Sequence, residues 1–464
     1  MGDDYVYLPL QDALSTVNQK INLFAVVVEC GLPKKSRGSD YFCSLKIMDE
    51  SFQQCGVTVN FFAHQAQNLP HVNSAGDIIR LHRILMKIHK QEVLGHYNKK
   101  FSSFALFEGR SGKDFSPYQA SSRFQVTKHD KVCIEKLRTW LATHNYDSGV
   151  NEYSLQLREL KVGEYFDLIC KVLHISKVSE EESILFVWDG TDAPPACFEM
   201  QLGPQSGSFP LQLEEVPLSR DILSTFPCIG TILRIVTGKS FDDTLVHLKV
   251  LGQWVKFRNI TCRQKFGLWE GLVVASSRIF LLSEQDNIAQ CCQRKYDERL
   301  LHEVEHTSLW SFPAPAAITE TQLEHVGLST LMEILTHSKV TCKYKCIVRI
   351  IASYPWLAED FRSPNFPHVY RIRFTLEDST ARIHAYLYGE DGVEFFEGYP
   401  PAHLLTAKMN KLLGLEDKSI GEGGEVAATR NPPWVQVCIK SYYLDKNDPW
   451  GSRHYRICNT KIVG

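Results

Sequence analysis

Between Phe24 and Lys100 the chain sets ten Lys and Arg against six Asp and Glu, although its formal net charge as a whole is −2. These cations are interleaved with rings. Pro33-Lys-Lys-Ser-Arg-Gly-Ser-Asp-Tyr-Phe42 places Lys34, Lys35 and Arg37 beside Ser39 and Asp40 on a loop, and Phe61-Phe62 ends a strand-like run. Arg80, His82, Arg83, Lys87, His89 and Lys90 then recur along a further run. Cations for phosphates and flat rings for unstacked bases are what single-stranded nucleic acid needs. Arg80 and His82, two apart, share one face of a strand. Phe61 and Phe62 are neighbours and must point oppositely, so one fills a core and one faces outward. The alternative is a solvated face whose charges serve only solubility.

Two other constellations are weaker. His302-Glu-Val-Glu-His306 has the H-E-x-x-H spacing of a zinc-protease helix. Glu305, however, would place a charge in a packed interior, and the charged segment around it reads as an exposed helix running into a Pro-rich linker. The fourteen cysteines are scattered, several inside apolar runs (Cys43, Cys170, Cys346, Cys438), as expected of buried free thiols in a reducing compartment. Cys342 and Cys346 are four apart and Cys291-Cys292 adjacent, so neither pair has C-x-x-C spacing. A Gly-rich phosphate loop, a G-x-S-x-G elbow and a dinucleotide fingerprint are all missing. The expectation is a non-enzymatic chain with no metal and no cofactor.

The elements that must position these residues are announced by a phrase written three times: Leu45-Lys-Ile-Met-Asp49-Glu-Ser51, Leu185-Phe-Val-Trp-Asp189-Gly-Thr191 and Arg373-Phe-Thr-Leu-Glu-Asp378-Ser-Thr380. Each follows another strand-like run, Ile21 to Glu29, Tyr165 to Ile175 and Cys346 to Tyr354. Each Asp ends a strand and caps the turn through its carboxylate. Gly76-Asp-Ile-Ile-Arg-Leu81 and Gly230-Thr-Ile-Leu-Arg-Ile235 repeat a second phrase. Three strands, a short helix and two strands is the order of an OB-fold, a five-stranded Greek-key barrel. The fold expectation is mainly β with short helices, as three tandem OB-fold barrels: residues 1–125 for single-stranded DNA, 126–265 for a second such barrel, 266–320 as a helical connector with a Pro/Ala linker, and 321–464 for protein interaction. Arg110 to Arg123 reads as a linker, Lys128 to His144 as a helix opening the second module, Gln285 to His306 as another helix, and Gly421-Glu-Gly-Gly424 as a loop. Basic residues surround the first copy of the phrase and not the third, which points to DNA at one end and protein at the other. The absence of an apolar run of eighteen or more residues and the acidic start at Met1-Gly-Asp-Asp predict a soluble intracellular chain.

The chain resembles the protection-of-telomeres family. The resemblance runs through Lys35-Ser-Arg-Gly-Ser-Asp-Tyr41, Gly76-Asp-Ile-Ile-Arg-Leu-His-Arg83 and Phe104-Ala-Leu-Phe-Glu-Gly109, then Tyr165-Phe-Asp-Leu168 and Val187-Trp-Asp-Gly-Thr191. It continues through Phe374-Thr-Leu-Glu-Asp378, Ala385-Tyr-Leu387 with Phe395-Phe396, and Pro433-Trp-Val-Gln-Val-Cys-Ile-Lys-Ser-Tyr442, and is most similar to plant members. It implies single-stranded G-rich telomeric DNA as ligand of the first two barrels, and telomerase or other telomere proteins as partners of the third. The implied locations are nucleus, chromosome and telomere. It also implies that Arg37, Ser39 and Asp40 clasp a nucleotide, that Phe62 stacks a base, that Arg80, His82, Arg83, Lys87 and Lys90 form a basic strand, and that Tyr165 is an aromatic of the second module. Lys34 and Lys35 would neutralise phosphate. Glu29, Lys34 and His89 stand where the family's best-known binders carry rings, and a groove-facing Glu29 would repel phosphate. The third module lacks the inserted C-x-x-C zinc element of animal members. The alternatives are an accessory or scaffold subunit with weak DNA affinity of its own, and a generic single-strand binder indifferent to sequence.

Overall fold

The computed structural model describes residues 5–36, 38–89, 91–109, 112–122, 124–143, 154–198, 209–242, 245, 248, 252–282, 284, 286–301, 310–363, 366–415 and 430–463. Arg37, Lys90, the His302–His306 motif and the Gly421–Gly424 stretch lie outside the described residues.

The described strands close into three barrels of one topology. In the first, β1 (Lys20–Cys30), β2 (Tyr41–Asp49) and β3 (Phe52–Ala63) form an antiparallel meander. β4 (Ile78–His89) pairs back onto β1, and β5 (Glu92–His96) joins β4 to β3, which it meets in parallel. The second barrel repeats this with β6 (Tyr165–Lys177), β7 (Glu182–Trp188), β8 (Leu233–Gly238), β9 (Trp254–Lys265) and β10 (Leu268–Leu272). The third uses β11 (Lys343–Tyr354), β12 (Phe366–Glu377), β13 (Arg382–Tyr388), β14 (Trp434–Tyr443) and β15 (Arg453–Cys458). Each interior is filled by the inward half of the alternation, for example Leu45, Ile47, Val59 and Phe61 in the first.

Three placements differ from the sequence reading. β10, which completes the second barrel, lies beyond residue 265, because Phe266 and Gly267 take positive φ (52° and 75°) and turn the chain straight back in a two-residue hairpin. The helix α1 (His129–Thr143) does not open the second barrel. Its Ile134, Leu137, Trp140 and Leu141 pack on Phe24, Val26, Ile78 and Phe107 of the first. Within the expected linker Arg110–Arg123, Gln119–Ala120 pairs with Ser103–Phe107, and the Tyr118 hydroxyl donates to Asp77 at 2.8 Å.

The repeated Asp has a threefold-repeated job. Asp49 accepts hydrogen bonds from Ser51 N, Ser51 Oγ and Phe52 N, which caps the β2–β3 turn, and from Leu10 N at 2.8 Å. Asp189 does the same with Thr191 N, Thr191 Oγ1 and Leu157 N at 2.8 Å, and Asp378 with Thr380 N, Thr380 Oγ1, Ala381 N and Leu331 N at 2.7 Å. The hydroxyl of the pair takes the next amide: Gln11 N, Arg158 N and Met332 N donate to Ser51, Thr191 and Thr380. Leu10, Leu157 and Leu331 each begin a helical turn whose first amides have no intrahelical partner. The Asp and hydroxyl pair supplies the cap from 30 to 50 residues away, locking that turn onto its barrel. Burial is the cause that pushes the Asp378 carboxyl up to about 6. The shared Gly is equally constrained: Gly230 has φ 83°, and a Cβ there would sit 2.4 Å from the Trp188 indole.

Candidate nucleic-acid interface

OB-folds bind oligonucleotides across their second and third strands. In the first barrel these are β2 and β3, whose register sets Phe42 opposite Phe62. Phe61 lies wholly in the core, so Phe62 stands on the outer face. The Phe42 and Phe62 rings are 5.0 Å apart at 47°, and His96 of β5 adds a third ring 5.4 Å from Phe62. Burial, then the charge of Lys87, lowers the His96 pKa, so at pH 7 it offers a neutral ring. On the same outward alternation Lys46 and Asn60 flank the rings, and Lys87 pairs across from Leu94, two residues before His96. Arg278 of the second barrel lays its guanidinium 4.8 Å from the Phe42 centroid. The result is a pair of half-exposed rings, Phe62 and His96, resting on the buried Phe42 and edged by cations.

The expected site residues divide into three groups. On or beside this face are Phe62 and Lys87, the exposed Lys35, Ser39 and His89, and Asp40. Asp40 accepts from Lys99 Nζ at 2.7 Å and meets His64 Nδ1 at 2.8 Å. The Lys99 hydrogen bond is the first cause holding its carboxyl below the usual range. Arg83 is exposed with φ 55°, its amide held by Asn22. Arg37 and Lys90 lie outside the described residues.

A second group is committed elsewhere. Arg80 and His82 do share a strand face, but on β4 that face is covered by α1 and the N-terminal segment. Arg80, 1% exposed, binds both oxygens of Asp130 at 2.6 and 2.7 Å and the Gln125 carbonyl at 2.6 Å. His82 is hydrogen-bonded to the Tyr7 hydroxyl at 2.7 Å, and burial pushes its pKa down to about 4. These two fasten the barrel's covering and cannot reach a phosphate without releasing it.

The third group forms the junction between barrels one and two. Glu29 does not repel phosphate from a groove: its buried carboxylate takes Lys256 Nζ at 2.9 Å and Arg258 Nη1 at 3.3 Å. Lys34 donates to the carbonyls of Ala275 and Ser277 at 3.1 and 2.9 Å, and burial lowers its pKa to about 8. Leu32 N donates to Ile279 O at 2.8 Å, a backbone link across the same junction.

The second barrel's corresponding face is closed, partly by its own residues and partly by Met332 from the turn capped by the third barrel. Ile184 and Phe186 of β7 are buried against Phe226, Ile232 and Met332. Tyr165, 59% exposed, sits on β6 opposite Thr261, on a different strand pair.

Residues 2–150 match the family profile described as "Telomeric single stranded DNA binding POT1/CDC13", and residues 314–448 match that of the POT1A-like OB fold domain. Protection of telomeres protein 1a of Arabidopsis thaliana is 36% identical over 471 residues, covering 98% of each chain. This chain belongs to the protection-of-telomeres family. Protein 1b of the same plant is 35% identical over 99% of this chain and 98% of its own. The human family member is 32% identical over 41% of this chain and 29% of its own. Fission yeast Pot1 with single-stranded DNA aligns over 64% of this chain and 95% of its own at 13% identity, with a TM-score of 0.27.

Within this family member, sequence reasoning missed Phe42, Lys46, His96, Lys99 and Arg278. Phe42 adjoins the Lys-rich loop and could have been found from its alternation with Ser44 and Lys46. Arg278 could not, because a position in the next barrel meets Phe42 only after the two have docked.

Proposed function

We propose that this chain binds single-stranded G-rich telomeric DNA at chromosome 3′ ends in the nucleus, contributing to end protection and to regulation of telomerase. The reading is carried by the half-exposed Phe62 and His96 rings on the outer face of the first barrel, backed by the buried Phe42, in a chain similar along its whole length to protection-of-telomeres proteins. The relatives are telomere-binding proteins, and the described site has the chemistry of binding: bases stack on the rings, while Lys35, Lys46, Lys87 and Lys99 meet phosphates and Ser39, Asn60 and Asp40 meet base edges. Arg278 ties the second barrel to this surface, so docking of the two barrels is part of the site. The third barrel is the proposed seat of a telomere-protein or telomerase partner.

The test is a gel shift of the full chain with G-rich telomeric oligonucleotides. Stacking is worth about 1–3 kcal/mol per base, so Phe62→Ala should weaken binding roughly 5- to 150-fold. No binding at low salt, or binding indifferent to Phe62→Ala, would refute the reading. One observation favours an accessory role with weak intrinsic affinity: the closed β7–β8 face leaves the second barrel little open ring surface. A pull-down with full-length chain that recovers telomere proteins while DNA binding is absent would support that second reading.

A further inference from the structure

The third barrel carries on its own second and third strands a face that its sequence neighbourhood hides. Register places Tyr354, Arg373 and Tyr386 side by side across β11, β12 and β13, and Arg371 opposite Tyr388. The parallel pairing of β13 with β15 continues the row from Tyr386 to Arg456. The residues between them, Ile372, Phe374, Ala385 and Leu387, are all in the core, so alternation turns the named six outward. Tyr354 and Tyr388 are 56% and 49% exposed. Arg373 lies 5.3 Å from the Tyr354 centroid and Arg456 lies 5.7 Å from that of Tyr388. His454 extends the ring surface, 6.0 Å from Tyr386 and 5.9 Å from Tyr442. Arg456 is ion-paired with Asp391, while Arg371 and Lys440 form no ion pair among the described residues.

This is the arrangement of the first barrel's face with more rings. It is also unlike the β7–β8 face of the second barrel, which is apolar and covered. We infer that the β12–β13 face of the third barrel is a second docking surface for single-stranded DNA, with bases stacked on Tyr354, Tyr386 and Tyr388 and phosphates held by Arg371, Arg373 and Arg456. Charge and geometry together select the occupant. Guanidiniums alternating with flat rings along a sheet fit a strand that alternates phosphate with base, and the excess of cations favours a polyanion. The inference rests on the reading that this chain holds single-stranded DNA, and it assigns the third barrel a share in that work on a face separate from the first. The contrast drawn from sequence, basic around the first Asp phrase and not around the third, does not extend to this surface.

The test uses the full chain and two fluorescent G-rich DNA strands, one of about 12 nucleotides, roughly one barrel's share, and one of about 36. Arg371→Glu with Tyr388→Ala should weaken the long strand about tenfold or more and lower the slope of log affinity against log salt by about 1. It should leave the short strand unchanged, while Phe62→Ala weakens both. If Phe62→Ala does nothing but the paired variant weakens both strands, the first-barrel reading fails and this one stands. If the paired variant keeps its thermal midpoint and leaves long-strand affinity and salt slope unchanged, the inference is overturned. The same holds if it weakens only RNA of that sequence. Crosslinking of a photoreactive DNA strand to the wild-type chain decides independently of any variant: adducts between residues 354 and 388 are expected, and adducts confined to the first two barrels would contradict the inference.

Discussion

Glu29→Gln should loosen the first two barrels from each other, by an amount the geometry bounds. The carboxylate lies 2.9 Å from the ammonium of Lys256, and the two side chains are 6% and 2% exposed. At an effective dielectric of about 20 that separation is worth about 6 kcal/mol of attraction, offset by the desolvation of both ions. Removing one partner of such a pair typically costs about 3–5 kcal/mol. The expected loss of about 3–5 kcal/mol would lower the unfolding midpoint of the docked barrels by roughly 5–9 °C. Adding Lys256→Met should recover part of it, giving a coupling of about 2 kcal/mol or more, since both sides of the ion pair are then gone. The assay is thermal unfolding of the four proteins of the cycle, with hydrogen exchange at residues 254–258 to place the effect. Effects that add within about 0.5 kcal/mol would refute the view that this pair holds the junction.

Arg80→Ala should cost about 3–5 kcal/mol of stability by stranding Asp130, yet change DNA affinity less than twofold in the folded protein; a large affinity loss at unchanged stability would return Arg80 to the interface. His82 has its pKa lowered to about 4, below the ordinary 6.5, so its contribution is complete above pH 6.5 and is lost as pH falls toward 4. Its imidazole should titrate near 4 by NMR, and a midpoint near 6.5 would contradict its burial against Tyr7. Asp378 is the opposite case: a carboxyl raised to about 6 favours the folded state when protonated. Stability of the third barrel should therefore fall as pH rises from about 4 to 6, and Asp378→Asn should flatten that dependence in pH-resolved melting.

The barrels were legible in the sequence because their signals are local. Alternation marks the strands, and Asp with Ser or Thr two residues on marks the turn, three times over. Phe61 and Phe62 could be assigned opposite faces, though not which was which. That the same Asp reaches back to Leu10, Leu157 or Leu331 was invisible, since the amide it caps lies far off in the chain. The site was less legible for the same reason. Arg80 and His82 read as a basic strand until α1 and Tyr7 are seen covering them, and Glu29 and Lys34 read as defects in a groove until the second barrel is docked. The β12–β13 face escaped because its arginines and tyrosines sit on different strands, so composition along the chain never concentrates them.

The ring-and-cation face proposed on the first barrel should select telomeric single strands. Competition of a G-rich telomeric strand against a scrambled strand of equal length, titrated across salt with wild type and Phe62→Ala, is the decisive measurement. Wild type should prefer the telomeric strand by at least about tenfold at every salt concentration, log affinity should fall linearly with log salt, and Phe62→Ala should weaken binding without changing that slope. Equal affinity for both strands, or a Phe62→Ala variant indistinguishable from wild type, would contradict it.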